Sequence, residues 1–261
     1  VAEIEFYLST AVICMTAVLF LESVFPLHVA PVPLRRWLRN LGLSVLALSI
    51  SLLTPLLFLA LTHASSALPT MGLLAQSKVP AWGQWLIVFL TLEGLRYALH
   101  RLSHRLPWLW RLHAVHHSDV DLDATTTHRH HPLENFVSSL AMLPVLIAIG
   151  PPPLAVLAYT VLTTMVDTFS HGNLRLPTAI DKVLRLAIAT PAYHRVHHSA
   201  ARAQTDSNYA GTFPVFDYLF RSHGRVPDDG GRNITLGLET NRDASSQSLM
   251  ALLSAPFRRV Q

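Results

Sequence analysis

Apolar side chains run through this chain in four blocks, at about residues 6–25, 40–62, 82–99 and 137–169. Residues 40–62 contain no charged side chain, and residues 137–166 are likewise free of charge. Each is long enough for the ~20 apolar residues that a spanning helix requires. The last block is too long for one simple helix and is broken by Gly150–Pro153, where the prolines remove amide donors. The pattern predicts an all-α, integral membrane bundle of about four spanning segments, the last read as a Pro-broken hairpin that leaves and re-enters on one side. Residues 1–261 are expected to form a single membrane-embedded domain.

Composition sharpens this picture. Hydrophobic residues make up 51% of the chain and charged residues only 14%, against ~25% charged in soluble domains. The net charge of +4 comes from arginines beside the apolar blocks, which is membrane-surface charge and not a nucleic-acid footprint. Arg35, Arg36 and Arg39 follow the first block, and Lys78 is the one basic side chain between the second and third. The positive-inside rule therefore puts residues 26–39, 100–135 and 171–261 on the cytoplasmic side, the last two forming a cap. The arginine-rich, lysine-poor balance favours a bacterial inner membrane over the endoplasmic reticulum. The acidic start, Glu3 and Glu5, does not read as a cleavable signal peptide. The lone Cys14 excludes an internal disulfide and a Cys-ligated iron–sulfur cluster.

Twelve of the fifteen histidines lie between residues 100 and 198. "LWRLHAVHHS" sets His113, His116 and His117 at relative positions 0, 3 and 4, and "PAYHRVHHSA" repeats the spacing with His194, His197 and His198. His100 and His104 are four apart, which stacks two imidazoles on one helical face. Within a triplet, positions 0 and 4 share a face and the adjacent pair diverges by about 100°, so one triplet can serve one metal and reach toward a second. One zinc needs about four ligands, so eight imidazoles suit two ions. His171 and His131 are further candidate ligands. His28, His63 and His223 read as structural, and His128 and His130 are assigned the same way.

Imidazole alone does not select among zinc, copper, iron and nickel. His-Glu-x-x-His is absent, and no Gly-rich phosphate loop or readable nucleophile–base pair occurs. The metal site leaves three readings: a lipid C–H oxidase, a zinc-dependent membrane hydrolase activating water, or a metal-binding or transport protein. Transport needs ionisable ligands in mid-span, whereas these histidines gather at the segment ends.

The residues resemble the fatty acid hydroxylase and sterol desaturase superfamily over about residues 20–258. The pattern acid, Tyr, His, three residues, His falls on Glu93, Tyr97, His100 and His104. Leu-Trp-x-x-His-x-x-His-His falls on Leu109 to His117. Arg129, His131, Pro132 and Glu134 match a further element, as do His171 and Asn173, the last triplet, and "DSNYAGTFPVFDYLF". Glu93, Ala210 and Phe216 stand where Asp, Gly and Trp are usual, which touches substrate shape and removes no histidine.

The resemblance implies two iron ions held almost wholly by neutral imidazoles, with O2 as co-substrate. The expected reaction is hydroxylation or desaturation of an unactivated C–H bond in a fatty acyl, sterol or carotenoid-like lipid. Glu93, Glu134, Asp167 and Asn173 then read as groups that orient the imidazoles, with salt bridges to nearby arginines as the alternative for the carboxylates. Two electrons must come from a separate donor, a b-type cytochrome or a ferredoxin with its reductase, and the basic cap suits an acidic carrier.

Overall fold

The computed structural model describes residues 2–29, 34–51 and 72–258. These residues are mostly helical, and no strand forms among them beyond two isolated bridges. Helices α1 (Ala2–Val24), α2 (Leu34–Ser51), α3 (Ala81–Arg105), α4 (Pro107–His117), α5 (Pro132–Ile149) and α6 (Pro153–His171) build the bundle. Short helices follow: α7 (Thr178–Leu184), α8 (Pro191–His197), α9 (Arg202–Thr205), α10 (Val215–Leu219) and α11 (Leu249–Ser254).

Among the described residues, three stretches are long and apolar enough to cross a membrane: Glu3–Val24, Pro132–Ile149 and Pro153–His171. The expected hairpin is present as α5 and α6. Gly150 ends α5 in the left-handed region at φ 59° and donates its N–H to Leu146 O, and Pro153 opens α6 at its first turn. Gly150 also abuts Gly72; a Cβ on either glycine would meet the other's backbone at under 3 Å. This approach lets Leu73 N–H and Leu74 N–H donate to Ala148 O and Ile149 O at 3.0 and 2.9 Å. The part of the second apolar block beyond Ser51 lies outside the described residues. The third block forms α3, which is not among the three apolar stretches because it carries Glu93 and Arg96.

The apolar core runs between α3 and α6, where Val88 and Leu92 pack with Ala155, Tyr159 and Leu74. Val18 of α1 meets Ala124 and Leu174, and Leu43 of α2 meets Val115 and Leu252. Polar contacts then gather the helix ends. Glu22 near the end of α1 accepts from Ala124 N–H at 2.8 Å and Asn173 N–H at 2.9 Å. Leu27 N–H donates to Asn173 O and Arg175 N–H to Phe25 O, both at 2.9 Å. The C-terminal ends of α1, α3 and α6 and the N-terminal end of α5 thus share one side of the bundle, where the clustered histidines lie.

Candidate metal centre

Four helices deliver the histidines. His100 and His104 lie on the last turns of α3. Leu106 breaks the helix in an extended conformation, and Pro107 restarts it as α4, where a missing amide is tolerated. α4 carries the first triplet at its C-terminal end. The second triplet lies on α8, one turn capped by the Thr190 side chain and opened by Pro191. His198 N–H donates to His194 O at 3.1 Å, so helical spacing extends to the last histidine. His171 ends α6.

These nine side chains sort into two groups, each with candidate ligand atoms within 4.8 Å of one another. His100, His104, His113, His117 and His197 form the first; His116, His171, His194 and His198 form the second. Each triplet is divided between the two. Positions 0 and 4 of the first triplet enter group one and position 3 enters group two, and the second triplet does the reverse. All are buried except the half-buried His100.

Hydrogen bonds set the tautomers. His100 Nδ1–H donates to Tyr209 O, His197 Nδ1–H to Ser207 O at 2.7 Å, and His113 Nδ1–H to Glu134 Oε1 at 2.7 Å. Each ring is then left with a lone pair on Nε2. Yet His100 Nε2 stands 3.0 Å from both His113 Nε2 and His197 Nε2. In group two His171 Nδ1–H donates to Asp167 O at 2.7 Å, its Nε2 faces those of His194 at 3.1 Å and His116 at 3.3 Å, and the Nδ1 atoms of His116, His194 and His198 are buried without a partner. Lone pairs directed at one another cannot hydrogen-bond. His104 Nε2 is in addition buried with no partner. A cation at the focus of each group resolves both problems, so the donor set fits two metal ions.

Burial, followed by the charges of neighbouring imidazoles, holds His100, His104, His116, His117, His194 and His198 well below the ordinary histidine value. Burial likewise outweighs the Ser207 carbonyl and pushes His197 down to about 3. Neutral imidazole is the metal-binding form.

The remaining candidate residues make other contacts. His131 does not join the metal groups. It caps α5, its Nδ1 accepting from Leu133 N–H at 3.2 Å and its Nε2–H donating to Leu253 O at 3.1 Å, which occupies both ring nitrogens. Glu134 accepts from the His113 ring, whereas the side chains of Glu93, Asp167 and Asn173 meet other partners. Glu93 accepts from Tyr159 OH at 2.8 Å and Phe213 N–H at 3.0 Å. The Asp167 carboxylate pairs with Arg96, and only its backbone carbonyl holds His171. Asn173 exchanges hydrogen bonds with the backbone of His28.

His130, assigned a structural role from sequence, lies within the site. Its ring is parallel to that of His116, with centroids 4.3 Å apart. Its Nδ1 meets Glu134 Oε2 at 3.1 Å, and His113, His130 and Glu134 form a third cluster.

Sequence reasoning did not assign the acceptors from "DSNYAG". Besides the Ser207 and Tyr209 carbonyls, Asp206 meets His104 Nδ1 at 3.2 Å. Asp217 shapes that loop by accepting from Tyr209 N–H, Ala210 N–H and Tyr193 OH at 2.7–3.1 Å. The polar run itself was the available signal; which carbonyl meets which ring has no side-chain signature.

Apolar helices long enough to span a membrane, capped by two buried polyhistidine groups, define a membrane-embedded metalloprotein. A model of the fatty acid hydroxylase family matches residues 85–222, more than half of the chain, and the chain belongs to that family. It is 31% identical over 183 residues to the ornithine lipid hydroxylase of Rhizobium tropici, covering 67% of this chain and 53% of that protein. It is 32% identical over 138 residues to the alkylglycerol monooxygenase of Homo sapiens, covering 52% of this chain and 29% of that protein. A very-long-chain aldehyde decarbonylase of Oryza sativa subsp. japonica is 28% identical over 146 residues, covering 52% of this chain and 22% of that protein. The chain thus spans about half the length of the first relative and less than a third of the others. No solved structure matches it.

Proposed function

We propose that this protein is a di-iron oxygenase that hydroxylates or desaturates an unactivated carbon of a membrane lipid, using dioxygen and two external electrons. The observation that carries the reading is the convergence of imidazole lone pairs in two buried groups. His100, His104, His113, His117 and His197 would hold one iron, and His116, His171, His194 and His198 the other. Two irons held there supply the capacity to reduce dioxygen and remove hydrogen from a C–H bond.

The chain's own residues do the rest. The Tyr209, Ser207 and Asp167 carbonyls and the Glu134 carboxylate keep Nδ1 protonated on four rings and so turn Nε2 inward. Burial of the imidazoles excludes bulk water. The proximity of the site to the ends of α1, α5 and α6 suits a substrate whose tail lies in the bilayer. The relatives named as lipid hydroxylase and alkylglycerol monooxygenase support the same class. The histidine-bearing side faces the cytoplasm in this reading, and the basic cap there receives an acidic electron carrier, a b-type cytochrome or a ferredoxin.

The test is metal analysis joined to isotope labelling. Purified protein should carry about two irons per chain, one for each imidazole group. With reductant, labelled dioxygen and lipid extract, label in a lipid alcohol means hydroxylation, and loss of two hydrogens without label means desaturation. Zinc content, with lipid turnover independent of oxygen and reductant, would establish the hydrolase instead.

A further inference from the structure

Arg195 stands between His194 and His197 on α8, yet its guanidinium has no role in the metal groups. The residue is 1% exposed. Its Nε and one terminal nitrogen are buried without any hydrogen-bond partner among the described residues. A buried guanidinium left unpaired is costly, so such a group calls for an anion.

Arg195 lines a cavity of about 340 Å³ together with His28, Asn173, Thr235 and Arg242, and with the carboxylates Asp121 and Asp123. The nearby carboxylates do not satisfy it. Asp123 is held by Arg36, Thr125 and Trp37, and Asp121 and Glu22 act on Arg195 through space without a hydrogen bond to it. Arg242 is held over the cavity by the carbonyls of Leu236 and Leu238 at 2.6 and 2.8 Å, which adds positive field. Gly231 lies against the Arg195 stem, where a Cβ would come within 3.0 Å of Cδ.

The cavity's height in the fold suggests the source of the anion. His28 follows the end of α1 at Val24, and Asn173 follows the end of α6 at His171. Both helices contain spans, so the cavity opens where a lipid carries its headgroup and not its tail.

We propose that this cavity is an anion subsite that receives the phosphate or carboxylate of a membrane lipid's headgroup. A guanidinium binds such oxoanions through charge-assisted hydrogen bonds. Resting on the oxygenase reading above, the lipid held there is the substrate. One turn of helix then links headgroup recognition by Arg195 to the metal ligands on either side of it, which favours anionic lipids over neutral ones.

The experiment uses metal-loaded protein in detergent. Thermal unfolding is followed with dihexanoyl phosphatidic acid, inorganic phosphate or dihexanoylglycerol. Phosphatidic acid should raise Tm and dihexanoylglycerol should not. In Arg195→Met the shift should vanish while metal content is retained, and Tm without ligand should be unchanged or higher, because an unpaired buried charge has gone. Thr235→Glu, a surface change at the cavity mouth that supplies a competing carboxylate, should raise the half-saturating concentration at least about tenfold; it serves if Arg195→Met folds poorly. No shift in the unsubstituted protein, or an equal shift in both variants, overturns the subsite. An equal response to inorganic phosphate and phosphatidic acid overturns the lipid assignment. An Arg195-dependent shift in protein that holds zinc, or that incorporates no oxygen, leaves the subsite standing and refutes the oxygenase reading alone.

Discussion

His130 lies face to face with His116, ring centroids 4.3 Å apart and planes 8° from parallel, while its Nδ1 shares the Glu134 carboxylate with His113. One side chain therefore contacts a member of each metal group. His130→Ala should lower activity or metal affinity about 10–100-fold, as loss of a ligand-orienting contact does. Glu134→Gln should do the same, whereas His223→Ala, which removes a ring packed on Tyr218 away from both metal groups, should be silent. Metal content and turnover of the three variants decide the matter; a silent His130→Ala would return this residue to a structural role.

His116 and His117 are neighbours in sequence and belong to different groups. Alanine at either should remove about one metal per chain, and alanine at both should remove about two. Metal analysis of the singles and the double checks this. A double variant that loses no more metal than either single would show that the two side chains serve one site.

Asp119 accepts two bonds from Arg36 at 2.8 Å, one from Asn40 at 3.1 Å and one from Thr126 at 2.9 Å, all buried. The Arg36 and Arg129 charges lower its carboxyl to about 2 against the cost of burial. This network ties α2 to the segment just after the first triplet. Asp119→Ala removes two of the Arg36 bonds and the carboxylate that offsets Arg129, leaving Arg36 paired with Asp123 alone, and should destabilise the fold by about 3–5 kcal/mol. Denaturant unfolding in detergent measures it; a loss under about 1 kcal/mol, the range of a surface pair, would contradict the network's importance.

Acid should release the metals. The buried imidazoles have folded-state values below the ordinary 6.5, and His197 lies at about 3. As pH falls below 6.5 the unfolded chain binds protons that the folded chain does not, so stability is full above that value and declines progressively toward about 3. Tm and bound metal should hold steady from pH 7 to 9 and fall from pH 6.5 downward. Stability that rises on mild acidification would oppose the assignment of neutral histidines.

Topology is tested by a single cysteine at Glu239, an exposed position in the segment before α11, in a background lacking Cys14. The proposed cytoplasmic cap predicts labelling only after the membrane is made permeable from outside. Labelling of intact cells would place the histidine groups on the opposite side.

The sequence by itself determined the helical membrane class, the Pro-broken hairpin and the set of clustered histidines. Periodicity and apolar length are local properties, and a 0, 3, 4 spacing projects the same way on any helix. It also implied that a triplet could reach two metals. Only the tertiary structure decided the sharing, since that depends on how α4 and α8 face each other across α3 and α6. The roles of His130 and His131 could not be read from "THRHHPLE" either. Adjacent residues of one short loop diverge there, one toward Glu134 and His116, the other into capping α5. Backbone carbonyls from residues 207 and 209 complete the site, and every residue carries a carbonyl, so composition cannot single them out. Arg195 was visible inside its triplet, but its missing counter-charge is a fact of packing: burial without a partner exists only once the chain has folded around it.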